Sequence, residues 1–238
     1  MNRADLHVRI HQVMERIAVA ARRAGRRPED VTLVAATKTV PSQLIEQAIE
    51  LGLRHFGENR VQEAEAKLKN LPVALRRAST WHLIGHLQSN KARRAMELFD
   101  VIQTVDSERL AHQLNRLAAE AKRTVPIYIE VKTDPSATKS GILPHELFEL
   151  ARSVAQCAHL RLEGLMTVPP FFERAEDVRP YFRELRLLRD RLNQQRLVEY
   201  QVNGLSMGMS HDYEIAIEEG ATLVRLGTAI WGPRPVQE

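Results

Sequence analysis

The chain has 238 residues, of which 44% are hydrophobic and 27% charged. This length and composition are typical of one large folded domain, so we expect residues 1–238 to form a single domain that needs no structural metal. The lone Cys157 excludes an intramolecular disulfide. Charges recur throughout the first 25 residues and no apolar segment approaches the length of a membrane span, so we expect neither a signal peptide nor a span. We therefore expect a cytoplasmic protein without a membrane partner.

The charge balance is mildly basic, with 34 lysines and arginines against 30 acidic residues and a net charge of +4. Many of the arginines stand in scattered pairs, which are typical of solvated helix faces and helix ends. No stripe of stacking aromatic residues and no recognition motif accompanies them. The sequence therefore disfavours a nucleic-acid partner.

Helical and strand patterns alternate along the chain. Leu6, Ile10 and Val13 recur at the spacing of an amphipathic helix that ends at Gly25. Short apolar segments rich in β-branched residues then alternate with helical patterns. They cover residues 31–37, 54–59, 81–85, 101–105, 126–131, 162–168, 202–207 and 222–227. Ser42 and Ser107 stand at the start of two intervening helical patterns and are expected to cap them.

This alternation predicts a parallel sheet covered by helices. The number of strand candidates favours closure into a (β/α)8 TIM-type barrel, with the first helix as an extra element. An open, doubly wound sheet would be favoured by a GxGxxG turn after the first strand, and the sequence lacks this turn.

Lys38 is the first of the chemically informative residues, which stand where strand candidates end. Barrels of this type place their sites at these carboxyl ends. Lys38 directly follows the first strand segment and precedes Pro41. A lysine amine beside an apolar barrel lumen can form a Schiff base with a carbonyl compound. The alternative is a solvated lysine at a strand end, which is the commoner case for one lysine taken alone.

Small residues follow the last two strand candidates. Ser206, Gly208 and Ser210 belong to the first of these loops, and Gly227 and Thr228 to the second. Accessible backbone N–H groups near a helix start bind anions, and loops in these two positions commonly hold phosphate in this fold. The sequence predicts a phosphate site here. The alternative is that Ser210 only caps the helix that follows it.

Arg225 lies two residues before Gly227, so both face the same side of the last strand. A fixed guanidinium at this position would face whatever lies beyond the phosphate. The alternative is a buried ion pair with a carboxylate on a neighbouring strand, such as Glu58.

His82 and His86 would share one face of the third strand, but their spacing is poor for a single metal ion. We expect hydrogen-bonded pocket histidines and no metal. The sequence also lacks the HExxH and Walker patterns of other catalytic classes.

Several motifs, in order along nearly the whole chain, carry a family resemblance. They are VAATKTV, HFGENRVQE, WHLIGHLQSNK, KSGI, GLMTVPP and LSMGMSHDYEIAIEEGATLVRLGTAIWG. The chain resembles the pyridoxal phosphate homeostasis protein family, formerly described as proline-synthetase-co-transcribed proteins. That family is similar to the N-terminal barrel domain of alanine racemase without its β-rich second domain. The resemblance implies the same barrel and pyridoxal 5′-phosphate (PLP) as cofactor.

Carried over position by position, the resemblance implies that Lys38 holds the cofactor aldehyde as a Schiff base and that Arg225 approaches the pyridine nitrogen. The remaining contacts are Ser206, Ser210, Gly227 and Thr228 at the phosphate, and Asn59 and Met166 at the ring. Lys139, in KSGI, is similar to a family lysine associated with secondary uptake of the cofactor. Lys132 stands where the family often has asparagine, and this departure puts any inherited role of that loop in doubt.

The function predicted from this resemblance is binding of PLP in its intracellular homeostasis, without robust catalysis. An arginine at the pyridine nitrogen stays charged and cannot accept the proton that makes the ring a strong electron sink. The chain also ends at Glu238, without the domain that supplies a catalytic tyrosine in the racemases. We expect a monomer whose partners are PLP and apo PLP-dependent enzymes. The alternatives are a low-activity amino-acid racemase and, more weakly, an RNA-binding accessory role.

Overall fold

The computed structural model describes residues 1–134 and 140–233. Within these ranges, eight parallel strands close into a barrel in chain order. They are β1 (Thr32–Ala36), β2 (His55–Glu58), β3 (Thr80–Leu83), β4 (Val101–Val105), β5 (Val125–Glu130), β6 (Leu160–Met166), β7 (Gly204–Ser206) and β8 (Leu223–Leu226). Pairing of β1 with β8, with Val34 opposite Arg225, closes the barrel. The predicted barrel is confirmed, whereas Lys139 lies outside the described residues.

Helices cover the outside of this barrel. The predicted extra helix, α1 (Arg3–Arg23), ends just before Gly25, whose φ of +68° suits a residue without a side chain. The others are α2 (Ser42–Glu50), α3 (Val61–Asn70), α4 (Val73–Arg77), α5 (Ala92–Leu98), α6 (Glu108–Glu120), α7 (Leu147–Ala155), α8 (Arg179–Gln194), α9 (Tyr213–Glu218) and α10 (Thr228–Trp231). In the described part of the chain, none of them combines the length and the apolarity needed to cross a bilayer.

The two predicted helix caps have different outcomes. The hydroxyl of Ser107 accepts a hydrogen bond from the N–H of Leu110 at 3.3 Å, so its capping role is confirmed. The prediction for Ser42 is wrong, because α2 begins at Ser42 itself and its N-cap is Pro41. The fixed φ of Pro41 already turns the chain into the helix, which moves the boundary back by one residue.

The interior is divided between two apolar clusters. The larger lies between the strands and the helices and includes the buried stripe of α1. The smaller lies inside the barrel and consists of Val34, Val101, Tyr128, Met166 and Leu223. Side chains alternate along a strand, so Arg225 shares the inward face of β8 with Leu223. The lumen therefore combines apolar side chains with a charged one.

Candidate functional site

Arg225 is a charged group of the barrel lumen, and it is only 4% exposed. Its Nη1 donates to the hydroxyl of Ser206 at 2.6 Å, and its Nη2 donates to the carbonyl of Thr167 at 2.8 Å. Burial lowers the pKa of the guanidinium to about 10, against the opposing effect of the carboxylates of Glu130 and Asp212. Arg225 is therefore charged at neutral pH, and a guanidinium has more N–H donors than these two bonds engage.

Glu58 does not form the ion pair with Arg225 that was the alternative interpretation. Gly57 faces the lumen, so the next residue of β2 points outward, towards α3. There the Glu58 carboxylate accepts hydrogen bonds from Lys67 Nζ at 2.5 Å and from the Thr37 hydroxyl at 2.6 Å. Burial raises the pKa of Glu58, while Lys67 and Thr37 lower it. The Arg225–Glu58 ion pair is therefore wrong, because side chains alternate between the two faces of β2 and Glu58 faces away from the lumen.

Lys38 lies just past the end of β1, where its residue is partly buried. Thr37, directly before it, is anchored because its carbonyl accepts a hydrogen bond from Lys67 Nζ at 2.5 Å. Thr39, directly after it, has a φ of +64°, a conformation that β-branched residues rarely adopt. The Thr39 hydroxyl donates to the Lys38 carbonyl at 2.6 Å. These contacts fix the direction in which the chain carries Lys38 away from the strand.

Ser210 joins the loops that follow β7 and β8. Its hydroxyl oxygen accepts hydrogen bonds from the N–H groups of Gly227 at 3.1 Å and Ala229 at 3.2 Å. Its hydroxyl hydrogen can therefore still be donated to a ligand. Thr228, an exposed residue, lies between these two amides in the sequence. The structure thus brings together three of the residues predicted for the phosphate site.

The alternative that Ser210 caps α9 is wrong. The N-cap of α9 is Asp212, whose carboxylate accepts a hydrogen bond from the N–H of Met209 at 2.6 Å. Burial raises the pKa of Asp212. The turn also requires Gly208, which has a φ of +94° and whose added Cβ would lie 2.6 Å from the Cβ of Ala216. This turn leaves Ser210 free to bond across to the loop after β8.

Ser206 occupies a different environment from Ser210. Its hydroxyl is fully buried in the lumen, where it accepts from Arg225 and donates to the side-chain oxygen of Gln103 at 2.6 Å. The resemblance groups Ser206 with the phosphate ligands, whereas the structure engages its hydroxyl with the arginine. Met166, predicted to border the ring, is also fully buried in the lumen.

Asn59, the other residue predicted at the ring, is exposed and borders a cavity of about 620 Å³. The cavity lies at the carboxyl ends of β2, β3, β5 and β6. A Cβ at Gly85 would lie 2.3 Å from the Asn59 carbonyl oxygen, so the close contact of these two loops requires glycine. The cavity is lined by Asn59, Ile84, Gly85, His86, Glu130, Ser140 and Val168. A larger cavity, of about 760 Å³, lies between α7 and α8, and none of the described candidate residues lines it.

Glu130 is a residue of this cavity that the sequence did not single out. It is 5% exposed, and its Oε1 accepts a hydrogen bond from the Ser140 hydroxyl at 2.9 Å. Among the described residues, its Oε2 has no hydrogen-bond partner. Burial raises the pKa of this carboxyl. The available signal was an acidic residue at the end of the apolar segment PIYIEV.

His82 and His86, the two histidines of the WHLIGHLQSNK motif, lie in different environments. His82 is buried in the lumen between His55, at 3.1 Å, and Gln103, at 2.9 Å. Burial lowers the pKa of His82 to about 3. His86 is exposed and lies 3.2 Å from the carboxylate of Asp106. Within the described ranges, no group of three His, Cys, Asp or Glu residues is arranged to hold a metal ion.

Comparison with known proteins identifies the family. Residues 8–235 match the family described as alanine racemase, N-terminal domain. The pyridoxal phosphate homeostasis protein of Aquifex aeolicus is 43% identical over 229 residues, which cover 95% of this chain and 97% of that protein. The chain belongs to the pyridoxal phosphate homeostasis protein family. The protein of that name from Escherichia coli K12 is 40% identical and covers 97% of each chain.

Solved structures agree with membership of the pyridoxal phosphate homeostasis protein family. PipY of Synechococcus elongatus, solved with PLP bound, is 40% identical with a TM-score of 0.79, covering 92% of this chain and 100% of that one. A protein from Bifidobacterium adolescentis, described as unknown, is 36% identical with a TM-score of 0.90 over 96% and 95% of the two chains. An alanine racemase of Clostridium difficile shares the fold at 13% identity and a TM-score of 0.65, covering 87% of this chain and 53% of the racemase.

In this member of the pyridoxal phosphate homeostasis protein family, the candidate residues fall into four places. They are the end of β1 with Lys38, the joined loops after β7 and β8 with Ser210, Gly227 and Thr228, the lumen with Met166, Ser206 and Arg225, and the cavity with Asn59. A lysine amine, the hydrogen-bond donors of two joined loops and a buried cation therefore stand at one end of one barrel.

Proposed function

We propose that this protein binds pyridoxal 5′-phosphate as a Schiff base on Lys38 and holds and supplies the cofactor in the cytoplasm. The observation that carries the proposal is the pairing of β1 with β8, in which Ala35 lies opposite Leu226. Lys38 follows the first of these strands, and Gly227 and Thr228 follow the second. An amine that can react with an aldehyde thus stands beside groups that can bind a phosphate.

The residues fit the three reactive parts of the cofactor. The Ser210 hydroxyl, with the backbone N–H and hydroxyl of Thr228, would donate to the phosphate, because charged acceptors strengthen such bonds. Arg225, deeper in the lumen, would donate to the pyridine nitrogen. Asn59 and Met166 would border the ring from the sides of β2 and β6. The cofactor itself would supply the aldehyde and the electron-withdrawing ring.

The charge state of Arg225 favours holding the cofactor over catalysis with it. With a pKa lowered only to about 10, the guanidinium keeps its proton at neutral pH. It can donate to an unprotonated pyridine nitrogen but cannot stabilise a protonated one, so the ring is a weak electron sink. The names of the relatives support a role in homeostasis. We propose apo PLP-dependent enzymes as the receivers of the cofactor. We propose that the protein acts as a monomer.

A low-activity racemase is the second candidate, because Glu130 offers a buried carboxyl at the wall of the neighbouring cavity. A carboxyl with a raised pKa can act as a general acid or base. Incubating the purified protein with a panel of amino acids in deuterated water decides between the two functions. We expect no incorporation of deuterium at the α-carbon above that caused by free PLP. Incorporation that disappears in Glu130→Gln would establish the racemase.

Reduction with borohydride tests the Schiff base directly. We expect the PLP-loaded protein to lose its Schiff-base absorption band and to yield one labelled peptide, the one that contains Lys38. Lys38→Ala should remain unlabelled while unfolding at the same urea concentration as the native protein. Lys132→Ala, at the end of β5, is the matched control and should label normally. A label on Lys132 or Lys139 in the native protein would contradict the assignment.

A further inference from the structure

A line of hydrogen-bonded polar side chains crosses the barrel lumen from β8 to β2. Its links are Arg225 to Ser206 at 2.6 Å, Ser206 to Gln103 at 2.6 Å, Gln103 to His82 at 2.9 Å and His82 to His55 at 3.1 Å. We call these residues the lumen chain. All except His55 are at least nine-tenths buried. Neither phosphate binding nor the Schiff base uses Gln103, His82 or His55.

The donor direction of the lumen chain follows from its first member, since a guanidinium can only donate. Ser206 accepts from Arg225 and therefore directs its own hydrogen to the oxygen of Gln103. The amide nitrogen of Gln103 then donates to Nδ1 of His82. A neutral His82 that accepts at Nδ1 carries its hydrogen on Nε2, and this hydrogen is donated to Nδ1 of His55.

This direction has an electrostatic consequence. Every neutral group of the lumen chain presents its negative end to Arg225 and its positive end away from it. Aligned hydrogen bonds polarise one another in a low-dielectric interior, so they stabilise a buried cation more than an isolated hydroxyl would. The second contact of the guanidinium, with the carbonyl of Thr167 at 2.8 Å, holds its other nitrogen. Two fixed acceptors in different directions leave little freedom for the guanidinium to rotate.

We propose that Ser206, Gln103 and His82 are positioning residues, which orient Arg225 so that its remaining N–H donors face the ring nitrogen of bound PLP. The inference rests on the proposed function, because it specifies how the site recognises the ring. It makes the protein selective for a heterocycle with an unprotonated nitrogen. A carbocyclic analogue of PLP, with C–H in place of the ring nitrogen, has no acceptor for Arg225 and so cannot benefit from the lumen chain.

Binding of the two compounds tests this inference. For Gln103→Leu, which removes the second and third links, we expect the dissociation constant for PLP to rise about tenfold, the effect of one weakened charge-assisted bond at Arg225. The dissociation constant for the carbocyclic analogue should stay within about twofold of the native value. Ser153→Ala is the matched control, since Ser153 bonds a histidine, His112, at 3.1 Å outside the lumen. It should change neither constant.

Gln103→Glu keeps the shape of the side chain, so it tests the inference even if Gln103→Leu does not fold. Its carboxylate still accepts from Ser206, so Arg225 stays anchored and the ratio of the two dissociation constants should remain native. The same carboxylate cannot donate to His82, whose hydrogen should move from Nε2 to Nδ1. Nitrogen-15 NMR of labelled histidines in the cofactor-free protein reads this change.

The outcomes separate this inference from the proposed function. Equal weakening of PLP and of the analogue in Gln103→Leu would show a merely structural role and overturn the inference. So would a native His82 that carries its hydrogen on Nδ1, or a Gln103→Glu protein that loses the native ratio. A native protein that binds neither compound would overturn the proposed function and the inference with it.

Discussion

Two cations, the partly buried Lys67 and the buried Arg225, lie on opposite sides of the barrel wall and have different partners. Lys67 Nζ lies 2.5 Å from the carboxylate of Glu58, an opposite charge in the space between β2 and α3. Arg225 is bonded to two neutral oxygens, the hydroxyl of Ser206 and the carbonyl of Thr167. The carboxylates of Glu130 and Asp212 act on Arg225 only through longer-range attraction.

This difference separates a cation used for structure from one available for binding. The charge of Lys67 is neutralised where it lies, and it anchors the chain next to Lys38 through the Thr37 carbonyl. The charge of Arg225 is only partly compensated, although burying an uncompensated charge is costly. Perturbed buried groups of this kind concentrate at functional sites, and a ligand with an acceptor atom would complete the environment of Arg225.

Breaking the structural pair should have the largest effect on stability. Lys67→Met would leave the Glu58 carboxylate buried without its cation, and we expect the free energy of unfolding at neutral pH to fall by about 3–5 kcal/mol. Urea denaturation measures this change. Lys69→Met, on the same helix, is the matched control, because Lys69 pairs with Glu65 at the surface and should contribute less than about 1 kcal/mol.

The stability lost in Lys67→Met should depend on pH in a definite direction. Burial raises the pKa of Glu58, and Lys67 opposes this effect, so the substitution should raise that pKa further. A carboxyl whose pKa is higher in the folded than in the unfolded protein destabilises the folded protein as the pH rises above the unfolded-state pKa, which is about 4.3 for glutamate. The loss caused by Lys67→Met should therefore shrink as the pH falls towards this value. A loss that is independent of pH would contradict the burial of an unpaired carboxylate.

Breaking the phosphate contacts should affect binding without comparable destabilisation. Hydrogen bonds to a charged group contribute about 1.5–3 kcal/mol each, so Ser210→Ala combined with Thr228→Val should weaken PLP binding at least about tenfold. Pyridoxal, which has no phosphate, should bind no worse than to the native protein. Titration of both compounds by absorption measures the two constants. An unchanged constant for PLP would mean that its phosphate lies elsewhere.

Reversing the charge in the lumen should have the smallest and slowest effect. A carboxylate at position 225 favours a protonated pyridine nitrogen, so Arg225→Glu should strengthen the electron sink and permit slow transamination with added amino acids. The absorption spectrum would follow conversion to the pyridoxamine form, after cofactor occupancy has been measured. An occupied variant without conversion would show that access of the amino acid, and not the ring electronics, limits the chemistry.

The sequence predicts the barrel well because its strands are short apolar segments between helical patterns, and their number leaves few arrangements. It also predicts the meeting of Ser210 with Gly227 and Thr228, since loops after neighbouring strands share one end of the barrel. The ion pair suggested for Arg225 is wrong because a strand's alternation sends Glu58 outward, away from the lumen.

The lumen chain is beyond prediction from the sequence, for a different reason. Gln103, His82 and His55 come from separate strands and face one another only after the barrel closes. Each one alone is a polar residue in an apolar segment, a pattern that does not indicate its partner. Glu130 is similar, because the lack of a hydrogen-bond partner for its Oε2 among the described residues is a property of the packed cavity and not of the segment that contains it.

The protonation state of the bound ring tests the central claim that Arg225 remains a cation and donates to an unprotonated nitrogen. PLP labelled with nitrogen-15 at the ring can be loaded onto the native protein and its NMR signal followed across neutral pH. We expect the signal of an unprotonated pyridine that accepts a hydrogen bond. The signal of a pyridinium would contradict the account, because a charged guanidinium cannot accept the proton that the ring would then carry.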